Sequence, residues 1–376
     1  MTSLGRKTPL KSTATALFCL FHVLAASAAT ALSFGMVGDS LTDDYLGGPA
    51  QVNNDLGALS WGQVLLDARS ADFDFGGYRP VGDPWDTSVR YSGSEYNYAT
   101  SGGAARDDAV LTIVGFGELP VTVSGTSVLS TQVAGLAPHI TSGDVGTAFV
   151  GIGSNDFFYH MNQFDFAGNP SPNPSAVIDQ AFIENVANSI LTGVDTLLAA
   201  GPVDLLLGYV PSGTAGGSTP EILAGIDAVN ALLSQGAAAR GVPMVDLFAW
   251  ADDPTRVDGT GTVHVGSLSI APGSIASLSD LDPSGAGACN SAGECATVSH
   301  AANFTAEDGI HPNTIIQGLI ANEIIEALNG NYGHSITPLN DSEIVGLSGV
   351  PEPGTAALLA AGLVALGARR RLAPSQ

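Results

Sequence analysis

The segment Phe34-Gly-Met-Val-Gly-Asp-Ser-Leu-Thr42 decides how the chain should fold. It continues an apolar run that begins at Leu32 and predicts a β-strand buried on both faces. The strand leads directly into Gly38-Asp-Ser-Leu41, so Ser40 lies at its carboxyl end. A serine hydroxyl there is exposed, while the N–H of the same residue faces any carbonyl that the hydroxyl attacks. Ser40 is therefore a candidate nucleophile, although the tetrapeptide alone could also be an Asx-type turn.

Strand and helix patterns alternate along the rest of the chain, which favours a parallel sheet covered on both faces by helices. The predicted strands are 32–37, 95–99, 147–152, 203–210 and 243–247. The predicted helices are 61–68, 130–140, 176–200, 220–239 and 313–328. The Gly/Ser/Asp-rich segments between them, 42–59, 70–92, 107–128 and 252–306, are predicted to be loops and small decorations of one domain.

Three further polar segments follow predicted strands. Asn97-Tyr-Ala-Thr-Ser-Gly-Gly103 contains two adjacent glycines, where the backbone can approach a ligand closely. Gly151-Ile-Gly-Ser-Asn-Asp156 offers the Asn155 amide as a donor, and Asp308-Gly-Ile-His311 precedes a strongly patterned helix. Each segment alone could be structural: a turn, a helix cap or a surface histidine. Together they lie beyond the carboxyl ends of strands, the edge where open parallel sheets bind ligands.

These residue types in this order suit nucleophilic catalysis. A serine hydroxyl needs a neighbouring base to take its proton, and histidine exchanges protons near neutral pH. Asp308 lies three residues before His311, so a tight turn can bring its carboxylate to the ring, orient it and stabilise its charged form. The sequence therefore predicts that Ser40, Asp308 and His311 are catalytic, without a metal or an organic cofactor. Asp39 and Asp156 are expected to hold the turns around Ser40 and Asn155.

The four segments resemble, in order, the motif blocks of the SGNH/GDSL hydrolase family over nearly all of residues 33–329. Gly38-Asp-Ser-Leu41 and Asp308-x-x-His311 match without departure, and Gly153-Ser-Asn-Asp156 matches the block Gly-x-Asn-Asp. The resemblance implies a three-layer α/β/α sandwich with a mostly parallel, five-stranded sheet of flavodoxin-like order. It also implies an ester hydrolase.

The resemblance further implies an oxyanion hole made by the Ser40 N–H, the Gly102 N–H and the Asn155 amide. The second block is looser, because two adjacent glycines compete for the backbone donor. Spacing from Asn97 favours Gly102, with Gly103 as the reserve choice. The family acts on lipids, acyl thioesters and acetylated carbohydrates, so the resemblance does not select one substrate.

The amino-terminal segment indicates export. Basic residues precede an apolar stretch from about Ala14 to Ala26, and small residues follow up to Ala31. This order predicts a cleaved signal peptide over 1–31, because the apolar stretch is short for a hydrocarbon layer of roughly 30 Å. The hydrolase domain is then expected at 32–341.

The carboxyl-terminal segment resembles a PEP-CTERM sorting signal over 350–376, after a predicted linker at 342–349. Val350-Pro-Glu-Pro353 precedes an apolar segment at 355–368 and a basic stop at Arg369–Arg371. The resemblance implies an exosortase-type sorting protease as partner and transient membrane contact through this segment. It implies a final location at the cell surface or in the extracellular matrix of a bacterium with an outer membrane. The alternative is a plain membrane tail.

Composition narrows the partners further. The formal net charge of −24 would repel nucleic acid and anionic lipid headgroups. Cys289 and Cys295 flank a Gly/Ser/Ala-rich loop, and in an oxidising compartment we expect a disulfide between them. The acidic cluster of Asp39, Asp43, Asp44 and Asp55 lacks an EF-hand pattern and is expected to be solvated, which leaves calcium binding open.

Three functions remain in competition at this point. The sorting signal favours a hydrolase of acyl or acetyl esters on extracellular polysaccharide. A short-chain esterase or lipase of broad range is the alternative within the same class. A non-catalytic surface or matrix protein on the same scaffold is the alternative of another class, although it would have no need for an intact Ser, Gly, Asn, Asp and His set.

Overall fold

The computed structural model describes residues 31–44, 57–79, 93–124, 127–166, 168–211, 219–282, 284, 294–306 and 308–347. The helices are α1 (Trp61–Arg69), α2 (Leu129–Ser142), α3 (Ser154–Met161), α4 (Gln180–Ala200), α5 (Pro220–Arg240), α6 (Val298–Ala301), α7 (Thr314–Tyr332) and α8 (Asp341–Leu347). The strands are β1 (Leu32–Gly38), β2 (Phe73–Asp74), β3 (Tyr78–Arg79), β4 (Gly93–Ser94), β5 (Val110–Ile113), β6 (Gly117–Pro120), β7 (Thr147–Gly151), β8 (Asn162–Phe164), β9 (Pro170–Pro172), β10 (Asp204–Gly208), β11 (Met244–Val245), β12 (Val263–Val265), β13 (Leu268–Ile270), β14 (Leu281–Asp282) and β15 (Cys295–Ala296).

The central sheet has five parallel strands in the order β11-β10-β7-β1-β2. β1 pairs with β7 along its length, and the two strands end together at the paired residues Gly38 and Gly151. The segments that carry Ser40 and Asn155 therefore leave the sheet at the same edge. The predicted parallel, five-stranded sheet is confirmed.

Side chains alternate between the two faces of the sheet, so each face has its own apolar core. On one face, Phe34 of β1 and Phe149 of β7 are fully buried together with residues of α1 and α7. On the other face, Val37 and Val150 pack with residues of α2, α4 and α5. The result is the predicted three-layer α/β/α sandwich.

The segment predicted as a strand at 95–99 differs from the prediction. Only Asn97 forms a bridge, to Met36 of β1, and the edge position in the sheet belongs to β2. The Asn97 side chain explains the difference, because its amide donates to the Thr42 carbonyl at 3.0 Å and its oxygen accepts the Ala99 N–H at 3.0 Å. These bonds hold the segment in a turn beside β1 instead of a regular ladder.

The predicted linker at 342–349 also differs, because α8 occupies 341–347. Ile344 and Val345 are fully buried, and a Cβ placed on Gly318 of α7 would lie 2.7 Å from the Ile344 side chain. The glycine thus lets α8 pack closely on α7, and Glu343 adds an ion pair to Arg69 at 2.9 Å. The folded domain therefore continues past 341. The predicted sorting signal and, except for Ala31, the predicted signal peptide lie outside the described residues.

Candidate active site

The turn that carries Ser40 begins at the end of β1, where Gly38 has no room for a side chain. A Cβ on Gly38 would lie 2.5 Å from the Gly151 carbonyl, so only glycine permits this contact between the strands. The next residue, Asp39, donates its N–H to the same carbonyl at 3.2 Å, and its carbonyl accepts the Thr42 N–H at 3.1 Å. Its carboxylate accepts the Leu41 N–H at 3.1 Å. The turn is thus fixed on both sides of Ser40.

The acidic cluster that follows is buried, contrary to the expectation of solvated carboxylates. Asp43 accepts the Ser101 N–H at 2.9 Å, and Asp44 accepts the Ser94 N–H at 2.7 Å. Burial also raises the pKa of Asp39 to about 6. These carboxylates tie the turn that carries Ser40 to neighbouring loops, a role that charge patterning alone does not reveal. Asp55 lies outside the described residues, and no cluster suited to a metal ion occurs within the described part of the chain.

The glycine loop, residues 97–103, packs against the turn that carries Ser40. The Thr100 N–H donates to the Gly38 carbonyl at 3.2 Å, and the Gly103 N–H donates to the Thr100 carbonyl at 2.9 Å. Gly102 has a φ of 75°, a left-handed conformation that favours glycine. Its carbonyl accepts the Tyr159 hydroxyl at 2.8 Å, whereas we find no acceptor for its N–H among the described residues.

Asn155 lies in the first turn of α3, which begins after Gly153 at a φ of 132°. Its Nδ2 donates to the Gly103 carbonyl at 3.0 Å. The next residue, Asp156, is fully buried and accepts the N–H groups of Ala105 at 2.7 Å and Arg106 at 3.1 Å. Because burial outweighs these donors, the pKa of Asp156 is raised. Asn155 and Asp156 together fasten α3 to the glycine loop.

The histidine is held by a tight turn in front of α7. Gly309 has a φ of 67°, and the Asp308 carboxylate accepts the N–H groups of Ile310 and His311 at 3.0 Å each. The other carboxylate oxygen hydrogen-bonds to His311 Nδ1. Burial acts to raise the pKa of Asp308, but its hydrogen bonds to His311 and Ile310 and its electrostatic interaction with the ring outweigh burial and lower it. Asp308 therefore stays ionised beside the ring.

One cleft of about 360 Å³ brings the predicted residues together, because Ser40, Gly102, Asn155 and His311 all line it. Asp308 lies behind His311, bonded to its ring. The rest of the wall is mostly apolar and includes Leu41, Phe158, Tyr159, Pro170, Ile310 and Pro312.

The sequence did not predict this wall. Phe158 and Tyr159 directly follow the Asn155 segment, so their position on α3 was a usable signal. Pro170 comes from β9, inside a four-stranded sheet that no clear periodicity marked.

The described residues include only one of the two cysteines of the predicted disulfide. Cys295 is disulfide-bonded and lies in β15, in the segment that leads to His311. Cys289 lies outside the described residues. The pairing of Cys289 with Cys295 therefore stays a prediction.

Comparison with known proteins shows which family and which sorting motif the sequence matches. Residues 34–324 match the GDSL-like lipase/acylhydrolase family, and residues 349–371 match the PEP-CTERM protein-sorting motif, which indicates export and surface-associated sorting. The chain has no match among curated proteins.

Solved structures similar to this chain include a lipase/acylhydrolase from Enterococcus faecalis, at 12% identity, with 82% of this chain and 100% of that chain covered and a TM-score of 0.37. Another is a GDSL-like lipase from Bacteroides thetaiotaomicron, at 10% identity, with 79% and 87% covered and a TM-score of 0.37. The match over residues 34–324 spans most of the sequence. The chain therefore belongs to the GDSL-like lipase/acylhydrolase family and carries a PEP-CTERM sorting motif at its carboxyl terminus.

Proposed function

We propose that the protein is an exported serine hydrolase of carboxylic esters, with Ser40 as nucleophile, His311 as general base and Asp308 as the group that orients the base. The observation that carries the proposal is the shared cleft of Ser40 and His311, together with the hydrogen bond between His311 Nδ1 and Asp308. That bond leaves Nε2 as the ring nitrogen for proton transfer. The family suggests ester hydrolysis, and the residue types that line the cleft support this proposal.

The reaction follows from these groups. His311 Nε2 takes the proton of the Ser40 hydroxyl as its oxygen attacks the ester carbonyl, and Asp308 stabilises the imidazolium that forms. The tetrahedral intermediate collapses, the alcohol leaves with the proton from His311, and an acyl-serine remains. Water then attacks the acyl-serine with His311 again as base, which releases the carboxylic acid and restores Ser40.

The negative oxygen of the intermediate needs preorganised donors. We infer that these are the N–H groups of Ser40 and Gly102 and one N–H of the Asn155 amide. The Gly103 N–H donates to the Thr100 carbonyl, which supports Gly102 over Gly103 as the backbone donor. Asn155 Nδ2 carries two hydrogens, and its bond to the Gly103 carbonyl uses one and holds the amide in place.

Two observations bear on the substrate. The sorting motif supports acyl or acetyl esters on extracellular polysaccharide as the target. The apolar wall, with Phe158, Pro170 and Ile310, favours an acyl group and so supports the alternative of a broad short-chain esterase or lipase. The two readings share one mechanism and differ in the alcohol and in the chain length of the acid.

The test is hydrolysis by the exported protein of p-nitrophenyl esters of increasing chain length, beside acetylated polysaccharides. Ser40→Ala is the control that separates catalysis by the cleft from background hydrolysis. We expect turnover that the control lacks, with the best substrate identifying the acid. An exported, folded protein without esterase activity on any of them would instead favour the non-catalytic matrix protein.

The location is a separate part of the proposal. We propose that an exosortase-type protease removes the tail, so that the mature protein ends near Pro351-Glu-Pro353 and lies at the cell surface or in the matrix. Deletion of 351–376 should release active enzyme into the medium, because none of the proposed catalytic residues lies there. Peptide mapping of the exported protein tests this, and an intact Arg369–Gln376 peptide on the external form would contradict it.

A further inference from the structure

A buried amide outside the cleft joins two of its loops. Gln132 of α2 has no exposed surface. Its Oε1 accepts the Gly38 N–H at 2.7 Å, and its Nε2 donates to the Gly38 carbonyl at 2.9 Å. The same Nε2 lies 3.2 Å from Thr100 Oγ1 and donates to it. One side chain thus holds both polar groups of a backbone residue and a side chain of the neighbouring loop.

Each of the two residues bonded to Gln132 comes shortly before a proposed oxyanion donor in the sequence. Gly38 precedes Ser40 by two residues, and Thr100 precedes Gly102 by two residues. The Thr100 N–H also donates to the Gly38 carbonyl at 3.2 Å. The amide therefore fixes the end of β1 and the start of the glycine loop relative to each other, immediately before each contributes a backbone N–H.

Gly103 supplies an independent observation. A Cβ at this position would lie 3.0 Å from Gln132 Nε2 and 2.9 Å from the carbonyl oxygens of both Gly38 and Thr100. The φ of Gly103 is not in the left-handed region, so its lack of a side chain matters for space and not for backbone conformation. Glycine at 103 leaves room for the amide at its present distance.

We propose that Gln132 is a positioning residue that sets the separation of the Ser40 and Gly102 N–H groups, and that glycine at 103 leaves room for its amide and for the Gly38 and Thr100 carbonyls beside it. The adjacent glycines then have separate tasks: Gly102 donates to the oxyanion, and Gly103 provides space. This inference rests on the proposed ester hydrolase function.

Only a primary amide fits these contacts, because Gln132 accepts one hydrogen bond and donates two. A carboxylate at this position could accept from the Gly38 N–H but could not donate to the Gly38 carbonyl. Leucine has a similar size and could do neither. Because transition-state stabilisation by fixed donors is sensitive to small displacements, loss of the amide should lower the rate of acyl transfer more than it weakens substrate binding.

The experiment compares wild type with Gln132→Leu, Gln132→Glu and Gly103→Ala. The matched control is Gln63→Leu, since Gln63 is a buried amide on α1 whose Oε1 accepts the Ser60 N–H at 2.8 Å. For each protein we would measure kcat and KM on a short p-nitrophenyl ester, normalised to titrated active sites, the rate of fluorophosphonate labelling, and the Tm.

We expect the three site variants to lose about 10- to 100-fold in kcat and in labelling rate, with KM changed by about threefold or less. The control should lose Tm and keep both rates per active site. The double variant Gln132→Leu/Gly103→Ala should lose less than the product of the two single losses, because both changes disturb the same junction of Gly38 and Thr100.

Site variants that lose only Tm and keep wild-type rates per active site would overturn the inference, as would a defect confined to KM or additive losses in the double variant. Gln132→Glu keeps the size of the side chain and the acceptor for the Gly38 N–H, so it tests the idea even where Gln132→Leu fails to fold. A wild-type protein that neither hydrolyses esters nor reacts with the probe would overturn the proposed function and this inference together.

Discussion

Ser40, Gly102 and Asn155 lie close to the carboxyl edge of the central sheet, whereas His311 reaches the same cleft from a turn outside it. The first three form the strand-end half of the site. Their loops are bonded to β1 and β7 or to each other, as in the contacts of the Asp39 N–H to Gly151 and of Asn155 to Gly103. Their geometry therefore depends on the stability of the sheet itself.

The loop half, Asp308 and His311, depends mostly on its own short turn. The Ala306 N–H donates to the His311 carbonyl at 2.8 Å, and Asp308 accepts two N–H groups of the turn. The turn is anchored further by the Asn313 amide, which donates to the His300 carbonyl at 2.7 Å. The difference teaches that the proposed nucleophile is positioned by the fold and the proposed base by local hydrogen bonds, so the two halves should respond differently to substitution.

The largest effect on the rate is expected from loss of Ser40 or His311, because one residue of each half must act together with the other. Ser40→Ala and His311→Ala should each lower kcat by about 10⁴-fold or more, and the double variant should be little worse than either single variant. Neither change should unfold the protein, because Ser40 faces the cleft and His311 is held by a turn outside the sheet. Steady-state kinetics beside circular dichroism checks this. Strictly additive losses of kcat would show that the two halves act independently, which would count against a shared mechanism.

Asp308→Asn tests the loop half alone. The amide keeps the size of the carboxylate but cannot stabilise the imidazolium and favours the wrong ring tautomer, so we expect kcat to fall by about 10³- to 10⁴-fold. The bonds of Asp308 lie within its own turn and not in the sheet, so the circular dichroism spectrum should stay unchanged. A loss of less than about tenfold would show that the turn positions His311 without the carboxylate charge.

Asn155→Ala tests the strand-end half. Its donor bond strengthens only as the oxyanion forms, so kcat should fall by about 10²- to 10³-fold while KM stays nearly constant. Asn188→Ala, at an exposed position on α4, is the control and should match wild type. A defect that lies wholly in KM would assign Asn155 to substrate binding.

Asp39→Asn should have the smallest effect on rate and a clear effect on the pH dependence of stability. Burial raises the pKa of Asp39 from 3.8 to about 6, so the folded state holds this proton more tightly than the unfolded state. Its stabilising contribution is complete below pH 3.8 and is lost as pH rises through about 6. The loss amounts to about 3 kcal/mol at most.

The Asn variant should therefore gain stability relative to wild type between pH 4 and pH 7. Urea unfolding of both proteins across this range measures the difference. Asp227→Asn, an exposed aspartate on α5, provides the control. A difference that does not change with pH would show that Asp39 titrates normally.

The sequence predicted the strand-end half better than it predicted the buried side chains that hold that half in place. Ser40 and Asn155 follow long apolar strands, so their place at the sheet edge could be inferred from pattern alone. The buried carboxylates of Asp43 and Asp44 could not, because their partners are backbone N–H groups of distant loops. Polar and Gly-rich composition likewise concealed α8, in which Ile344 and Val345 are the only fully buried residues.

The loop half was predicted only through its motif. The three-residue spacing of Asp308-x-x-His311 indicates a local turn, and the structure contains that turn. The segment before it has no regular periodicity, and its contacts run to other loops, such as the Phe304 N–H to Ser274 Oγ at 2.9 Å. Such contacts depend on tertiary packing, which a single sequence does not reveal.

The most direct measurement of the central claim is the site of covalent labelling by a fluorophosphonate probe, mapped by mass spectrometry of the exported protein. The account predicts one adduct, on Ser40, that forms at least about 10³-fold more slowly in His311→Ala. The control His264→Ala, which changes a half-exposed histidine of β12, should label at the wild-type rate. An adduct on another serine, or labelling of Ser40 at the same rate without His311, would contradict the account.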